Sequence, residues 1–199
     1  MSDLFLSLAG GYGLWAVMIS AFLSCLLVPI PTSVMMLTAG ALAAVGDLVL
    51  APLMLAAFAG AVTGDQAGYW IGRRFGAPAL ARLDHSPARR AVLARARRLI
   101  ARRGGIGVFL SRWALAPLGP YVNLVAGAGG LTWGRFTAWD VAGEALWVTL
   151  YVGAGYAFSD NIAAVAEVSG DLLGLAVALV VAGVAALWLR ATLRAQKAR

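Results

Sequence analysis

The feature that most constrains this chain is an uncharged stretch of 43 residues, Leu4–Gly46. A membrane-spanning helix needs about 20 apolar residues, so the stretch can supply more than one membrane segment. Pro29 and Pro31 interrupt it, because proline removes a backbone donor and restricts the residue before it. We therefore predict a first span at Leu4–Val28 and a short hairpin at Thr32–Gly46 that re-enters the bilayer, where non-helical backbone must be buried in protein or wet.

The composition agrees with a membrane protein. Apolar residues make up 61% of the chain, charged residues 13%, and the mean hydropathy is +0.83. Soluble domains carry about 25% charged residues, and a soluble globule this small could not hide so much apolar surface. Cys25, the single cysteine, excludes a disulfide scaffold and is expected to be a small apolar residue of the first span.

Positive charge is concentrated in two segments that flank apolar runs. Ten arginines lie in residues 73–103 against Asp84 alone, and the tail 190–199 is also basic. Basic residues beside membrane segments mark the cytoplasmic side, so both segments are predicted to be cytoplasmic rather than bound to nucleic acid. Residues 73–105 are predicted to form a weakly amphipathic interfacial helix, in which His85 is a solvated turn residue.

Counting crossings between the two basic segments gives the predicted topology. Leu48–Gly72 returns the chain to the cytoplasm, and Phe136–Phe158 and Leu172–Leu189 supply two further spans. The segment Ile106–Gly134, with Pro117 and Pro120, must then enter and leave from the cytoplasmic face. We predict an all-α integral membrane protein of one domain, with about four transmembrane helices, two re-entrant hairpins entering from opposite faces, and both basic segments inside.

The two halves resemble each other, which suggests an inverted repeat. Four residues of the first half recur in the second half at a constant offset: Pro31, Ala39, Gly40 and Leu42 match Pro120, Ala128, Gly129 and Leu131. Paired broken segments that meet near the midplane build the substrate site of many transporters. In a chain this rich in alanine and glycine, coincidence is the alternative.

Asp65 is the most informative single residue, because a carboxylate inside an apolar helix is costly unless it is paired or wet. The alternative is an interfacial anchor eight residues before Arg73. Asp65, Tyr69 and Arg73 form a polar stripe. Beside it runs a stripe of small residues suited to close helix packing, formed by Gly60, Gly64, Gly68, Gly72 and Gly76.

Arg112 and Glu144 are the other candidates for a polar pathway. Arg112 pairs with Asp65 or Glu144, receives an anionic headgroup, or does both, since these roles do not exclude each other; the alternative is a residue that snorkels to the membrane edge. Glu144 is interpreted as a second pathway carboxylate and Asp140 as an interfacial one. Asn123 could supply a neutral hydrogen bond at the tip of the second hairpin.

The sequence lacks the motifs of an enzyme or a metal site. It has no His/Cys cluster with metal-ligand spacing, no Gly-rich phosphate loop and no serine elbow with a membrane histidine. We therefore expect no enzymatic activity, no metal and no cofactor, although carboxylate-only chemistry stays open. Myristoylation and a cleavable signal are also not expected.

Several of these residues together resemble the DedA family, whose shared region is called the VTT domain. The resemblance covers about residues 29–156. It rests on Pro29-Ile-Pro31, on the run from Gly64-Asp65 to Arg73-Arg-Phe-Gly76, on Phe109-Leu-Ser-Arg112 and on Ala126-Gly127. The resemblance implies opposed re-entrant hairpins, the movement of phospholipids or polyprenyl phosphate carriers, and a role in envelope integrity linked to the proton-motive force. Asp65 matches the acidic residue of the family and Arg112 the first arginine of its R-F-x-P-x-x-R motif.

Two family residues are missing here. Thr32-Ser33 stands where the family usually has a glutamate, and no second arginine follows Arg112 before Arg135. We expect a lipid transporter or scramblase of the cytoplasmic membrane, with anionic lipid headgroups and protons as partners and no nucleic acid. A homo-oligomer is left open. The alternatives are a non-transporting scaffold for envelope or division complexes and a small-ion or solute transporter.

Overall fold

The computed structural model of the protein describes residues 2–81 and 86–159. The predicted final span, the basic tail and His85 lie outside these residues. The described chain is helical without strands, which agrees with the all-α prediction. Its seven α-helices are α1 (Ser2–Ser24), α2 (Thr32–Ala44), α3 (Leu50–Ala81), α4 (Pro87–Arg103), α5 (Gly105–Trp113), α6 (Gly119–Ala128) and α7 (Trp133–Ala157), with a short 3-10 helix at Ala116–Leu118.

The proline pair separates α1 from α2 as expected, but α2 is not a hairpin. Leu27, just before the prolines, has a left-handed backbone with φ of 70°. The segment predicted as the first hairpin is instead one helix of 13 residues. Its interior holds no proline, and Gly40 does not break it because both of its neighbours, Ala39 and Ala41, favour helix.

The long helix α3 extends past its predicted end at Gly72. Arg73 and Arg74 continue it, since arginine is a good helix former. The helix is broken at Gly76, whose φ of 46° and ψ of −125° are not helical, and Pro78 follows in the next turn. The predicted interfacial segment is therefore divided between the end of α3 and the separate helix α4.

Helix α4 carries the basic cluster on its exposed faces. The Ser86 hydroxyl caps its start by accepting a hydrogen bond from the backbone N–H of Arg89 at 3.3 Å. Only Leu93 and Ala96 are buried within this helix. Gly104, with φ of 53°, ends α4 and lets α5 begin in a new direction.

The two halves of the chain pack against each other reciprocally. Helix α1 packs on α3 and α5 packs on α7, whereas α2 lies against α7 and α6 lies against α3. The contacts between the halves, α2 on α7 and α6 on α3, both depend on glycine. A Cβ at Gly40 or Gly155 would overlap backbone of the facing helix in the α2–α7 contact, and one at Gly72 or Gly127 would do so in the α3–α6 contact. The inverted relation of the halves across a membrane stays a prediction.

The glycine stripe of α3 serves two neighbours in turn. Gly60 and Gly64 face the backbone of α1, whereas Gly68 and Gly72 face Asn123 and Leu124 of α6. Gly76 differs from the rest of the stripe, because a Cβ there would have no neighbour within 4 Å. Its role is the positive φ at the break in α3 and not helix packing.

Among the helices in the described ranges, none is both long and apolar enough to qualify as a candidate membrane span.

Candidate functional site

Four helices bring five polar side chains to one buried point, which we call the ion cluster. Asp65 comes from the middle of α3, Arg112 from the end of α5 and Asn123 from α6. Asp140 and Glu144 are four residues apart on α7 and therefore lie on the same face of that helix. Residues distant in sequence thus meet at the centre of the described fold.

Arg112 is the centre of the ion cluster. Its Nη1 donates to Asp65 Oδ1 at 3.1 Å, and its Nη2 lies 2.7 Å from Asp140 Oδ1. Its Nε lies 3.5 Å from Glu144 Oε1. The guanidinium also stacks near the Phe136 ring, with its carbon 5.7 Å from the ring centroid. Of the sequence alternatives for Arg112, ion pairing is therefore the one that the structure contains, and it includes both Asp65 and Glu144.

Asn123 bridges Asp65 and Arg112 through the nitrogen and the oxygen of its side-chain amide. Its Nδ2 donates to Asp65 Oδ1 at 2.5 Å, and its Oδ1 accepts from Arg112 Nη2 at 2.8 Å. Asn123 is fully buried, and the Cβ that an alanine at Gly68 would carry would lie 2.9 Å from the Asn123 Cβ. Part of the glycine stripe therefore holds this amide against α3.

The expectation that Asp140 is interfacial is wrong. Its side chain is fully buried and paired with Arg112, and its Oδ2 accepts a hydrogen bond from Gln66 Nε2 at 3.0 Å. The Gln66 carbonyl in turn accepts from Trp133 Nε1 at 2.8 Å, and Trp133 is half exposed. Asp140 thus links the ion cluster to the protein surface through Gln66, a residue that the sequence did not single out.

The ion cluster contains more acid than base. Three carboxylates meet one guanidinium, and the side chains of all four residues are at most 4% exposed. Asp65 Oδ2 and Glu144 Oε2 are buried without a hydrogen-bond partner. An uncompensated charge in such a place is strongly destabilising. The geometry therefore suits a site that takes up positive charge when all three acids are ionised.

The three carboxylates are also close enough to share a cation, since one oxygen of each lies within 4.8 Å of the others. In the structure the Arg112 guanidinium supplies the positive charge among them. The cluster is therefore organised as a network of ion pairs around an arginine.

A cavity of about 420 Å³ opens beside the ion cluster, and we call it the polar cavity. Asp65, Arg112 and Glu144 line its inner end. Both proline breaks contribute to its wall, with Pro29 and Ile30 from one and Pro117, Gly119 and Pro120 from the other. The breaks in the chain therefore create the space through which a ligand could reach the buried charges.

Where the resemblance led us to expect a glutamate, the wall of the polar cavity is neutral. Ser33 lines it, and the Thr32 hydroxyl instead donates to the backbone carbonyl of Ser20 at 3.2 Å. Tyr69, predicted to be on the pathway, does not line the cavity. It stacks on Phe136, and its hydroxyl donates to the carbonyl of Leu131 at 2.7 Å. Tyr69 therefore anchors α3 to the segment before α7.

Comparison with known proteins assigns the chain to a family. The family model of the VTT domain matches residues 30–157, which include every member of the ion cluster. The chain belongs to the VTT-domain family. The match nearly coincides with the region that resembled DedA proteins in sequence, so that resemblance is confirmed.

Several curated relatives of this VTT-domain protein are named as membrane proteins. An uncharacterized membrane protein of Synechocystis is 34% identical over 152 residues, covering 75% of this chain and 68% of the relative. Protein DedA of Escherichia coli is 30% identical over 131 residues, covering 65% and 59%. Inner membrane protein YabI of Escherichia coli is 30% identical over 143 residues, covering 70% and 56%. The chain thus spans less than two thirds of DedA and YabI.

These names support a membrane location for the VTT-domain protein. No solved structure gives a significant match to it.

Proposed function

We propose that this chain is a lipid transporter or scramblase of the cytoplasmic membrane and not an enzyme. Its substrate would be an anionic lipid, either a polyprenyl phosphate or a phospholipid, and its role would be to support the cell envelope. The observation that carries the proposal is a cavity of about 420 Å³ that leads from two proline breaks to a buried arginine. Membership of the VTT-domain family is consistent with this role.

Arg112 is the residue that would receive the headgroup. Its planar fork of donors fits two phosphate oxygens at once. Its nitrogens lie within 3.5 Å of oxygens of Asp65, Asp140 and Glu144. A phosphate would have to replace one of these carboxylates as the partner of Arg112.

The excess of acid makes this exchange proton-linked. A released carboxylate that stays buried next to a phosphate would add a like charge to an already acidic cluster, which is costly. Proton uptake by that carboxyl would remove the repulsion. Binding of an anionic headgroup is thus expected to be accompanied by protonation of Asp65, Asp140 or Glu144, which couples lipid movement to protons.

The proposal includes the predicted topology. Helices α2 and α5–α6 are short helices next to proline breaks and would lie at membrane depth from opposite faces. The exposed arginines of α4 would lie at the cytoplasmic surface, where anionic headgroups attract basic residues. The basic tail, beyond the described residues, would also be cytoplasmic.

The test is lipid movement in liposomes that carry the purified protein. Anionic and zwitterionic fluorescent lipids are followed by headgroup accessibility, with and without a pH gradient. We expect anionic lipid to cross with wild type, and not with Asp65→Asn, while that variant still folds. Arg97→Gln, an exposed arginine of α4, is the control that should keep transport. Equal transport by wild type and Asp65→Asn would refute the role of the ion cluster.

A scaffold is the second candidate, because every guanidinium nitrogen of Arg112 already faces an acid or an amide. The charges would then hold α3, α5, α6 and α7 together and move nothing. In that case Asp65→Asn would mainly lower the yield of folded protein, and well-folded wild type would move no lipid under any condition.

A further inference from the structure

A second cavity adjoins the polar cavity, and its wall is apolar. This apolar cavity measures about 390 Å³ and lies between the end of α1, the second half of α3 and α6. Cys25, Leu27 and Pro120 line both cavities. The two cavities therefore adjoin at these residues, which we call the junction; buried charge lines one cavity and apolar side chains line the other.

The junction is held by an unusual backbone. Leu27 is the one non-glycine residue with positive φ in the described chain, at 70°. A bulky residue rarely adopts this conformation, and it persists only where surrounding structure enforces it. This conformation falls where α1 ends, and it places Leu27 in the wall of both cavities.

The far end of the apolar cavity opens at the surface of α3. Ile71 and Phe75 line it, and they are 39% and 57% exposed. The break at Gly76 lets the chain continue along the same cavity, since Ala79 also lines it. A long apolar ligand could thus leave the protein sideways between these residues.

We propose that the apolar cavity binds one hydrocarbon chain of the lipid whose headgroup occupies the polar cavity. The inference rests on the proposed function and adds where the tail lies and how many chains are enclosed. A charged cavity and an apolar cavity side by side are complementary to an amphiphile, which pairs an anionic head with a hydrocarbon chain.

The volume favours a single chain. A cavity of about 150 Å³ lined by Leu, Ile and Phe accepts one benzene molecule, so about 390 Å³ corresponds to roughly 15 carbon atoms. That is one lipid chain, and a second chain of the same lipid would remain outside.

The test uses monoalkyl phosphates of 6 to 18 carbons as competitors of a hexadecyl phosphate that carries a photoreactive diazirine at its chain end. Purified full-length protein in detergent is cross-linked, and the modified residues are mapped by mass spectrometry. Labelling is expected on residues that line the apolar cavity. Competition should strengthen about fourfold for each added methylene and level off near 15 carbons.

Two matched variants separate binding in the cavity from partition into detergent. Ile71→Trp fills the opening, whereas Ile106→Trp adds the same ring at an exposed isoleucine outside the cavity. Partition of the probe into detergent affects both variants equally. We expect Ile71→Trp to move the plateau to shorter chains and to reduce cross-linking several-fold, and Ile106→Trp to behave as wild type.

The outcomes distinguish this inference from the proposed function. Labels outside the apolar cavity, or the same chain-length profile in both variants, would overturn the inference even if liposomes still show transport. Cavity labelling with the expected profile, but no transport in liposomes, would support the tail site and refute the transporter.

Discussion

Replacing Arg112 with glutamine removes the positive charge at the centre of the ion cluster. Its nitrogens lie 2.7, 3.1 and 3.5 Å from oxygens of Asp140, Asp65 and Glu144. At an effective dielectric constant of 20, one charge pair near 3 Å is worth about 5 kcal/mol. Removing one partner of a buried pair typically costs about 3–5 kcal/mol of stability.

Protonation limits the loss and makes it depend on pH. Protonating an ordinary aspartic acid costs about 4 kcal/mol at pH 7 and about 1.5 kcal/mol at pH 5. A carboxylate left unpaired would take up a proton once the free energy of burying its charge exceeds the free energy of protonating it at that pH. The folded variant then binds more protons than its unfolded chain, so its stability falls as pH rises. We expect a loss of about 4 kcal/mol at pH 7 and about 1.5 kcal/mol at pH 5.

The assay is thermal unfolding in detergent, followed by tryptophan fluorescence between pH 5 and pH 8. At about 2–4 °C per kcal/mol for a chain of this size, Tm should fall by roughly 8–16 °C at pH 7 and by roughly 3–6 °C at pH 5. Arg97→Gln, at an exposed position, should stay within about 0.5 kcal/mol of wild type. A loss in Arg112→Gln that is the same at all pH values would refute the charge argument.

Two further substitutions test packing and charge separately. Gly127→Ala places a Cβ against the backbone of α3 and should cost about 1–3 kcal/mol, whereas Gly153→Ala enters open space on α7 and should be neutral or slightly stabilising; equal Tm values for the two would contradict the close approach of α6 to α3. Asp140→Asn removes one of three acids, but its single amide oxygen can accept from Arg112 Nη2 or from Gln66 Nε2 and not from both, so the variant should lose about 1–3 kcal/mol for the donor left without an acceptor. A loss above about 3 kcal/mol would mean that Asp140 is not in excess.

Much of the ion cluster could be predicted because a charge inside an apolar segment is conspicuous. Asp65, Arg112 and Glu144 were selected on that ground, whereas Asn123 was selected as a neutral hydrogen-bonding residue at the predicted hairpin tip. The structure brings all four together. Asp140 was misplaced because its partners are distant in sequence. Its spacing of four from Glu144 was the available signal, since that spacing puts both acids on one helical face.

The helices were predicted better than their ends and breaks. Proline marked the break between α1 and α2 and the break between α5 and α6, where a missing donor has a local effect, but α1 ends at Ser24 and not at the predicted Val28. The end of α3 was set too early at Gly72, because arginine continues a helix that was expected to stop at the first basic residue. The single helix α2 was mistaken for a hairpin, since apolar composition does not distinguish a helix from a turn between two shorter ones.

The crossed packing of the two halves has a consequence for synthesis. Helix α2 rests on α7, and the Gly40 contact with Val152 joins residues more than 100 positions apart. At about 5–20 residues per second, the ribosome needs on the order of 5–20 seconds between making these two residues. During that interval α2 has no partner for the small face that includes Gly40. In the nascent chain this face of α2 therefore stays unpaired until α7 has been synthesised. Completion of the fold is thus a late event in the biogenesis of the protein.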